Sequence, residues 1–267
     1  KNIKKNIVKK FFRSFLPRKA KDIINLILNR NIKLKGNFSS WKDASQKSSG
    51  YDDNLILNKA KRSLNEIINN KAKFERDTVL FYKDAPDREL ISIIKKLYSK
   101  KNIRICDFGG SFASSYFQNI SFLDKSKIEW NVIEQKKIVK HAKKRLKIKN
   151  LNFYYNTGSI LRKKIDLIIF SSVIQYLEEP YALLKEITKK KIKNIIISRT
   201  PFSSKSEVIK IQFVPKHIYK SSYPVRILNI FNFLTFMKNN GYKIKNKLKV
   251  NEKIGKYNYE SFYFIKN

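Results

Sequence analysis

The run Ile103-Arg-Ile-Cys-Asp-Phe-Gly-Gly-Ser111 constrains this chain more than any other stretch. A short apolar run ends in an acid, Asp107. Gly109 and Gly110 follow, then a segment able to open a helix. A nucleotide-binding β–loop–α unit begins this way: the glycines let the backbone turn sharply and approach a ligand, and the helix beyond presents unpaired N–H groups. Two glycines at a strand-to-helix turn are common, so the next acid matters. Glu134 closes the following apolar run, Trp130-Asn-Val-Ile-Glu134. An acid about 20 residues past the glycine turn, at the end of the second strand, is where a ribose hydroxyl pair is gripped.

From Ile103 onward apolar runs and helical periodicities alternate. Strands are expected near 103–108, 128–134, 151–155, 166–171 and 193–199, and helices near 113–121, 135–146, 180–190 and 227–239. Two extended runs, 242–250 and 257–265, end the chain. The pattern predicts an α/β fold: a Rossmann-like, mostly parallel seven-stranded sheet with an antiparallel terminal strand at its edge, plus a helical N-terminal extension. Three regions are expected: a basic amphipathic segment over 1–36, a helical lid or extension over 37–100, and the Rossmann-like domain over 101–267.

In the first region Phe11, Phe12, Phe15 and Leu16 recur at helical spacing among Lys and Arg, and Pro17 interrupts. Such a segment lies on an anionic membrane surface, packs on the domain as a helix, or forms a loose basic arm. In the second, 37–51 reads as a polar loop. Asp52 or Asp53 caps a helix whose apolar face is Leu55, Leu57, Ala60, Leu64, Ile67 and Ile68. The charged cluster Phe74-Glu-Arg-Asp77 comes next, then a helix near 88–99.

The formal net charge is +38, from 59 Lys and Arg against 21 Asp and Glu. Nucleic-acid binding is one reading of that excess. The competing reading is a diffuse bias: Lys, Asn and Ile are abundant together, and lysines recur on helices, strand ends and loops alike. Cys106 is the one cysteine, which excludes an internal disulfide and a multi-cysteine metal site and fits a reducing cytoplasm. It falls within the first predicted strand and is expected in the core. No apolar run is long enough to span a bilayer and no secretory signal is evident, so a cytoplasmic protein is expected, without a bound metal.

In an open doubly wound sheet, ligands bind beyond the carboxyl ends of the strands. Those ends deliver Asp107, Phe108, Gly109, Gly110 and Ser111; Glu134 and Gln135; Ser171 and Ser172, then Gln175 and Tyr176; and Arg199, Thr200 and Pro201. The glycine loop is not a dinucleotide fingerprint, because Ser111 and Ala113 stand where glycines would be needed for a pyrophosphate to approach. A cofactor without phosphates has no such need. S-adenosylmethionine is therefore favoured over NAD, with the loop backbone facing its methionine part and Glu134 taking the ribose hydroxyls.

Several further stretches are specific when taken together: Trp41 with Gly50-Tyr-Asp52, Phe74-Glu-Arg-Asp77, Asp107-Phe-Gly-Gly-Ser111 with Ser114-Ser-Tyr-Phe-Gln118, Trp130 with Val132-Ile-Glu-Gln135, Ser171-Ser-Val-Ile-Gln-Tyr-Leu177 with Pro180, Arg199-Thr-Pro-Phe202, and Gln212 with Val214-Pro215, Ile218-Tyr219 and Ser222-Tyr-Pro224. In this set, which runs from about residue 40 to the end, the chain resembles a family of class I S-adenosylmethionine-dependent methyltransferases found in bacterial polysaccharide-biosynthesis gene clusters. The resemblance implies the fold and the cofactor and leaves the acceptor open. Ala113 departs from it, standing where the family more often has glycine.

Methyl transfer needs the acceptor aligned with the sulfonium methyl and a group to take its proton. Glu75 and Asp77 are candidate bases if the charged cluster folds over the site as a lid with Arg76 toward the substrate; the alternative is an ion pair with Arg76 within the turn. Arg199 and Tyr223 complete the catalytic candidates. Gln175, Tyr176 and Tyr219 are placed at the acceptor, where Tyr219 and Tyr223 either flank a sugar ring or pack on the sheet edge. His217 falls in the expected loop Gln212–Pro224, which would border the acceptor, and His141 is expected to be solvated. The expected activity is O-methylation of a sugar or glycan intermediate, with peripheral contact to an anionic membrane. RNA methylation and a non-catalytic cofactor-binding or scaffold role are the alternatives.

Overall fold

The computed structural model describes residues 32–50, 54–214 and 221–267. The expected amphipathic segment up to residue 31, the caps Asp52 and Asp53, and His217 and Tyr219 lie outside the described residues.

In chain order the elements are β1 (Lys33–Phe38), α1 (Trp41–Gln46), α2 (Asn54–Ile68), β2 (Phe74–Arg76), β3 (Val79–Phe81), α3 (Arg88–Tyr98), β4 (Ile103–Phe108), α4 (Ser114–Asn119), β5 (Ile128–Ile133), α5 (Lys136–Arg145), β6 (Leu151–Tyr154), α6 (Thr157–Leu161), β7 (Leu167–Ser171), α7 (Pro180–Lys189), β8 (Asn194–Ser203), β9 (Val208–Val214), β10 (Ser221–Asn229), α8 (Ile230–Asn239), β11 (Tyr242–Leu248), β12 (Lys253–Ile254) and β13 (Tyr257–Lys266). Ile174–Tyr176 forms one 3₁₀ turn after β7.

Seven strands make a doubly wound sheet in the order β6-β5-β4-β7-β8-β13-β11, parallel throughout except for β13. The Rossmann-like fold is therefore present. Its antiparallel strand, the last in the chain, is not at the edge but between β8 and β11. Burial accounts for this. Tyr259, Phe262 and Phe264 of β13 are buried, whereas β11, Tyr-Lys-Ile-Lys-Asn-Lys-Leu, is mostly exposed. A lysine-rich strand suits an edge because its charges discourage further strand pairing.

Each face of the sheet carries its own core. On one, Leu64 of α2, Ile94 of α3 and Ala142 of α5 pack with Ile105, Trp130 and Val132. On the other, Leu184 and Ile187 of α7 and Phe233 and Met237 of α8 pack with Cys106, Ile168, Phe170 and Ile197. Cys106 is buried, as expected. The helices before residue 100 thus complete one core of the sheet.

The sequence reading missed a second structure. β1, β9 and β10 form an antiparallel extension, joined to the main sheet only through Leu228 and Asn229 of β10 beside Phe202 and Ser203 of β8. The stretch Gln212–Pro224 reads as a loop because of its serines and Pro224, and the helix after it was expected from 227; the structure has strands there and α8 begins at Ile230. Pro224 is tolerated because, beyond β9, β10 is paired only at its last two residues. The expected boundary at residue 36 falls inside β1. The expected polar loop over 37–51 contains α1, capped by Ser40, whose Oγ accepts from the Asp43 N–H at 3.0 Å. Six residues are too few to show a helical period.

Because α2 shares a core with the sheet, Leu64→Ala should destabilise the whole protein by about 2–5 kcal/mol. Chemical denaturation followed by far-UV and near-UV circular dichroism should show one transition; separate transitions would make the first hundred residues an independent unit.

Candidate functional site

β4 is flanked by β5 on one side and β7 on the other, and the chain reverses direction across the sheet there. The crevice beyond the carboxyl ends of β4 and β7 is the topological switch point where ligands bind in such sheets. The turn after β4 fills it. Gly109 has φ +70°, and a Cβ there would lie 2.5 Å from Val173 Cγ2. At Gly110 a Cβ would lie 2.7 Å from both Cγ and Oδ2 of Asp107. Neither position admits a side chain. Ala113 takes φ +65° and ψ +44° at the start of α4, so the turn forms with alanine in a left-handed conformation that glycine adopts more easily.

Beneath this turn Asp107 is fully buried. Trp130 Nε1 donates to its Oδ2 at 3.2 Å, while Oδ1 has no hydrogen-bond partner. Burial pushes its pKa up to about 7, opposed by the Trp130 hydrogen bond, helped by the nearby Glu134 and opposed again by the Ser115 hydroxyl, which lies too far or too poorly aligned to count as a partner of Oδ1. Glu134 accepts from the Ser111 N–H at 3.2 Å through Oε1 and from the Gln135 N–H at 2.7 Å through Oε2. Its pKa is also raised, by burial against the pull of those two donors.

A third carboxylate approaches from the β2–β3 hairpin. Asp77 and Thr78 form its two-residue turn with φ +51° and +64°, which a type I′ turn requires and a β-branched threonine resists. The turn points Glu75 inward, 4% exposed. Glu75 accepts from the Thr78 N–H at 2.6 Å and, in a very short contact, from the Ser114 hydroxyl of α4. Burial raises its pKa, and Ser114, Thr78 and Ser111 counter this by hydrogen bonding. Glu75 and Glu134 thus bracket Ser111. Among the described residues, no ion pair reaches Asp107, Glu134 or Glu75.

A charged hub lies midway along β8. Arg199, at φ +51°, donates from its N–H to Ser261 Oγ at 3.0 Å. Its guanidinium forks onto Glu252, with Nε to Oε1 at 3.2 Å and Nη2 to Oε2 at 3.1 Å, and reaches Asp77 Oδ2 at 3.3 Å. Arg76 lies 3.8 Å from Glu252 and over the Phe81 ring, not paired with its sequence neighbour Asp77. The two acids hold Arg199 charged despite its burial.

After β7, Ser172 (φ +57°) accepts from Gln175 Nε2 at 3.0 Å, and the same nitrogen reaches the Arg199 carbonyl at 3.3 Å. A carbonyl only accepts, so the amide nitrogen is fixed there and Gln175 Oε1 is left buried without a partner. Tyr176 donates to Gln212 Oε1 at 3.0 Å, and Gln212 Nε2 meets the Tyr223 hydroxyl at 3.1 Å. The two tyrosine rings are edge-to-face at 5.3 Å. Strained non-glycine positions concentrate here: Asp77, Thr78, Ser111, Ala113, Ser172 and Arg199 all have positive φ. Such strain accumulates at functional sites. Alongside, an open groove of about 690 Å³ is lined by Gln135, Lys136, Lys137 and Lys140.

No protein-family model matches the chain, and no curated protein matches it by sequence. Solved structures are similar to it. The N-terminal domain of EvdMO1, solved in the presence of S-adenosylhomocysteine and D-fucose, is 12% identical, covers 80% of this chain and 98% of its own, and has a TM-score of 0.49. The magnesium protoporphyrin IX methyltransferase of Synechocystis, with bound S-adenosylmethionine, is 13% identical over 94% of this chain and 98% of its own, with a TM-score of 0.47. The 1,6-didemethyltoxoflavin-N1-methyltransferase of Burkholderia thailandensis, with S-adenosylhomocysteine and its acceptor, is 10% identical over 88% and 93%, with a TM-score of 0.49.

The structure therefore gathers the sequence-predicted residues into two groups. Asp107 to Ser111, Glu134, Gln135 and Glu75 surround the glycine turn, while Arg76, Asp77, Arg199, Ser171, Ser172, Gln175, Tyr176 and Tyr223 gather about the end of β7, the middle of β8, and β10. Glu252, Thr78 and Ser261 were missed. They come from loops and a strand bulge with no spacing to mark them. His141 is not fully solvated: it is half-buried beside Phe112, at 5.5 Å between ring centres, and burial lowers its pKa.

Asp107 gives this site a pH signature. Its folded pKa of about 7 lies above the ordinary 3.8, so the folded protein retains a proton that the unfolded chain releases. Stability from this group is therefore lost as pH rises through that window. Asp107→Asn should exceed wild type in stability at pH 8, by on the order of 3 kcal/mol, and lose the advantage by pH 4. Thermal denaturation from pH 4 to 8 checks this; parallel wild-type and variant profiles would contradict it.

Proposed function

We propose that the protein is an S-adenosylmethionine-dependent methyltransferase. The observation that carries this reading is the set of three carboxylates around the glycine turn, the buried Asp107 and Glu75 and the half-buried Glu134, with no cation paired to them among the described residues. An unneutralised buried carboxylate is costly, and the cost falls when a cationic ligand arrives. A dinucleotide would bring a pyrophosphate and repulsion. S-adenosylmethionine brings an ammonium and a sulfonium, no phosphate, and a ribose for Glu134. In this reading Asp107 to Ser111, Glu134, Gln135, Ser171 and Ser172 hold the cofactor.

The acceptor is a sugar or glycan intermediate, as in surface-polysaccharide biosynthesis. What supports this is the character of the groups after β7 and on β9 and β10: Gln175, Tyr176, Gln212 and Tyr223 are neutral hydrogen-bonding side chains interleaved with aromatic faces, which suit a polyhydroxylated ring. In the transfer the acceptor oxygen forms a bond to the methyl carbon as the carbon–sulfur bond breaks. The bonding pair goes to sulfur, which becomes a neutral thioether, and the hydroxyl proton leaves to a base. In this reading Asp77 takes it; what supports the assignment is that its carboxylate is exposed at the hairpin turn and held by Arg199. Both oxygens of Glu75 are already engaged, so it is not that base. Arg76 and Arg199 orient the acceptor side.

RNA methylation is a second reading, favoured by one feature, the groove lined by Lys136, Lys137 and Lys140 beside Gln135. If RNA is the acceptor, binding to a single-stranded RNA oligonucleotide should fall steeply with salt, with several counterions released. Filter binding between 50 and 300 mM salt that is weak and salt-insensitive would remove this reading.

Calorimetric titration with S-adenosylmethionine and S-adenosylhomocysteine tests the cofactor. Micromolar binding, lost in Glu134→Ala, is expected, followed by methyl transfer in a screen of nucleotide sugars and glycolipids. Wild-type protein that binds neither ligand would sink the methyltransferase assignment.

A further inference from the structure

Glu75 has no counterpart in the βαβ machinery. It stands on a hairpin before the doubly wound sheet begins, yet its carboxylate is the group through which that hairpin is fastened to the glycine turn. Ser114 donates to it from the first turn of α4, Thr78 donates its N–H from within the hairpin, and Ser111, whose N–H belongs to Glu134, stands between the two acids. Hydrogen bonds from hydroxyl and amide groups satisfy its oxygens without neutralising its charge. The hairpin's own cation, Arg76, is turned away to Glu252 and the Phe81 ring. Among the largest influences on its carboxylate, the one from a charged neighbour comes from another acid, Asp77. Beneath the same turn Asp107 Oδ1 is buried and unpartnered. The site therefore presents uncompensated negative charge from below and from the hairpin, with a vacant hydrogen-bond acceptor within it.

We propose that Glu75 reads the positive charge at the sulfur of the cofactor, so that the hairpin holds S-adenosylmethionine and releases S-adenosylhomocysteine. This rests on the methyltransferase reading above. Before transfer the sulfonium offers the buried carboxylates a compensating charge. Transfer moves the methyl group to the acceptor, leaves the bonding pair on sulfur and converts the sulfonium to a neutral thioether. The carboxylates then face no charge at that position, and the product loses an attraction the substrate had. Glu75 is a positioning residue in this scheme: it does not take the acceptor's proton. Only the charge of Glu75 is required for this role, whereas a purely structural latch would need only its hydrogen bonds, which glutamine supplies in part.

The test uses the full chain and three probes: S-adenosylmethionine, S-adenosylhomocysteine, and sinefungin, which carries an amine in place of the methylsulfonium. Wild type should bind the two charged ligands more tightly than S-adenosylhomocysteine. Glu75→Gln should weaken both charged ligands on the order of tenfold and leave S-adenosylhomocysteine within about twofold, removing the preference. Ser114→Ala keeps the carboxylate and should keep the preference, so a general loosening of the hairpin is recognised by comparison. Equal loss for all three ligands in Glu75→Gln, or no loss, would overturn the proposal while leaving the cofactor assignment standing. If Glu75→Gln does not fold, the wild-type comparison decides: a neutral thioether bound as tightly as the charged ligands overturns it. Wild type that binds none of the three overturns the cofactor assignment and this inference together.

Discussion

The constraint on which the site depends is the burial of Asp107 beneath Gly110. The carboxylate occupies the space a Cβ at 110 would need, and it is held by Trp130 on the adjacent strand. That contact fixes the path of the turn, and the turn in turn places Ser111 between Glu134 and the hairpin. Trp130 is itself fully buried against Tyr116 of α4, at 5.8 Å between ring centres, so the hydrogen bond is anchored in the core. A buried carboxylate with one oxygen unpaired is expensive for a folded protein. Its position at the switch point of the sheet, where ligands bind, makes a ligand the economical account of that cost.

Arg199 plays the corresponding part in the second group of residues, at β8. Its backbone bulges against Ser261, its carbonyl fixes the Gln175 amide, and its guanidinium joins Glu252 of the β11–β12 connection to Asp77 of the hairpin. Three segments far apart in sequence meet at one side chain. The hairpin is therefore held from several sides, Glu75 to α4, Asp77 to Arg199 and the Thr78 carbonyl to the Ser63 hydroxyl of α2, and its Asp77-Thr78 turn is strained among them. The antiparallel extension closes the same side, bringing Gln212 and Tyr223 to Tyr176.

Legibility in the sequence followed locality. Leu167-Ile-Ile-Phe-Ser171 is buried on both faces and Ile103-Arg-Ile-Cys-Asp107 at every position but Arg104, so they stand out as largely apolar runs, and the acids and serines that end them could be placed on one edge of a sheet. β9 and β10 were lost because Ser221, Ser222 and Pro224 carry turn chemistry, and only pairing with a distant strand makes them a ladder. β13 was placed at an edge because chain order says nothing about insertion between two earlier strands. The candidate site divides in the same way. Glu134 was legible because its distance from the glycine turn has meaning within one βαβ unit. Glu252 was not, since its partner Arg199 lies across the sheet. Glu75 could be suspected from its charged cluster, but its attachment to Ser114 is a tertiary fact.

The same contrast bears on the net charge. With 59 basic and 21 acidic residues, an acid in this chain has abundant cations available. Surface acids use them: Glu129 meets Arg104, Glu207 meets Arg226, and Asp166 meets Lys101. Among the described residues, Asp107, Glu134 and Glu75 do not, although Lys136 and Arg76 are near them in sequence. Random placement of lysine would sooner have neutralised these acids than spared them. The surface excess is screened beyond about 8 Å at physiological ionic strength, so it acts on whatever approaches the protein and little on the buried turn. The molecule thus combines a positive exterior with a cluster of unpaired acids at the glycine turn. In the proposed reading those are two tasks: the first draws in an acceptor or its anionic carrier, and the second holds the methyl donor only while it carries its charge.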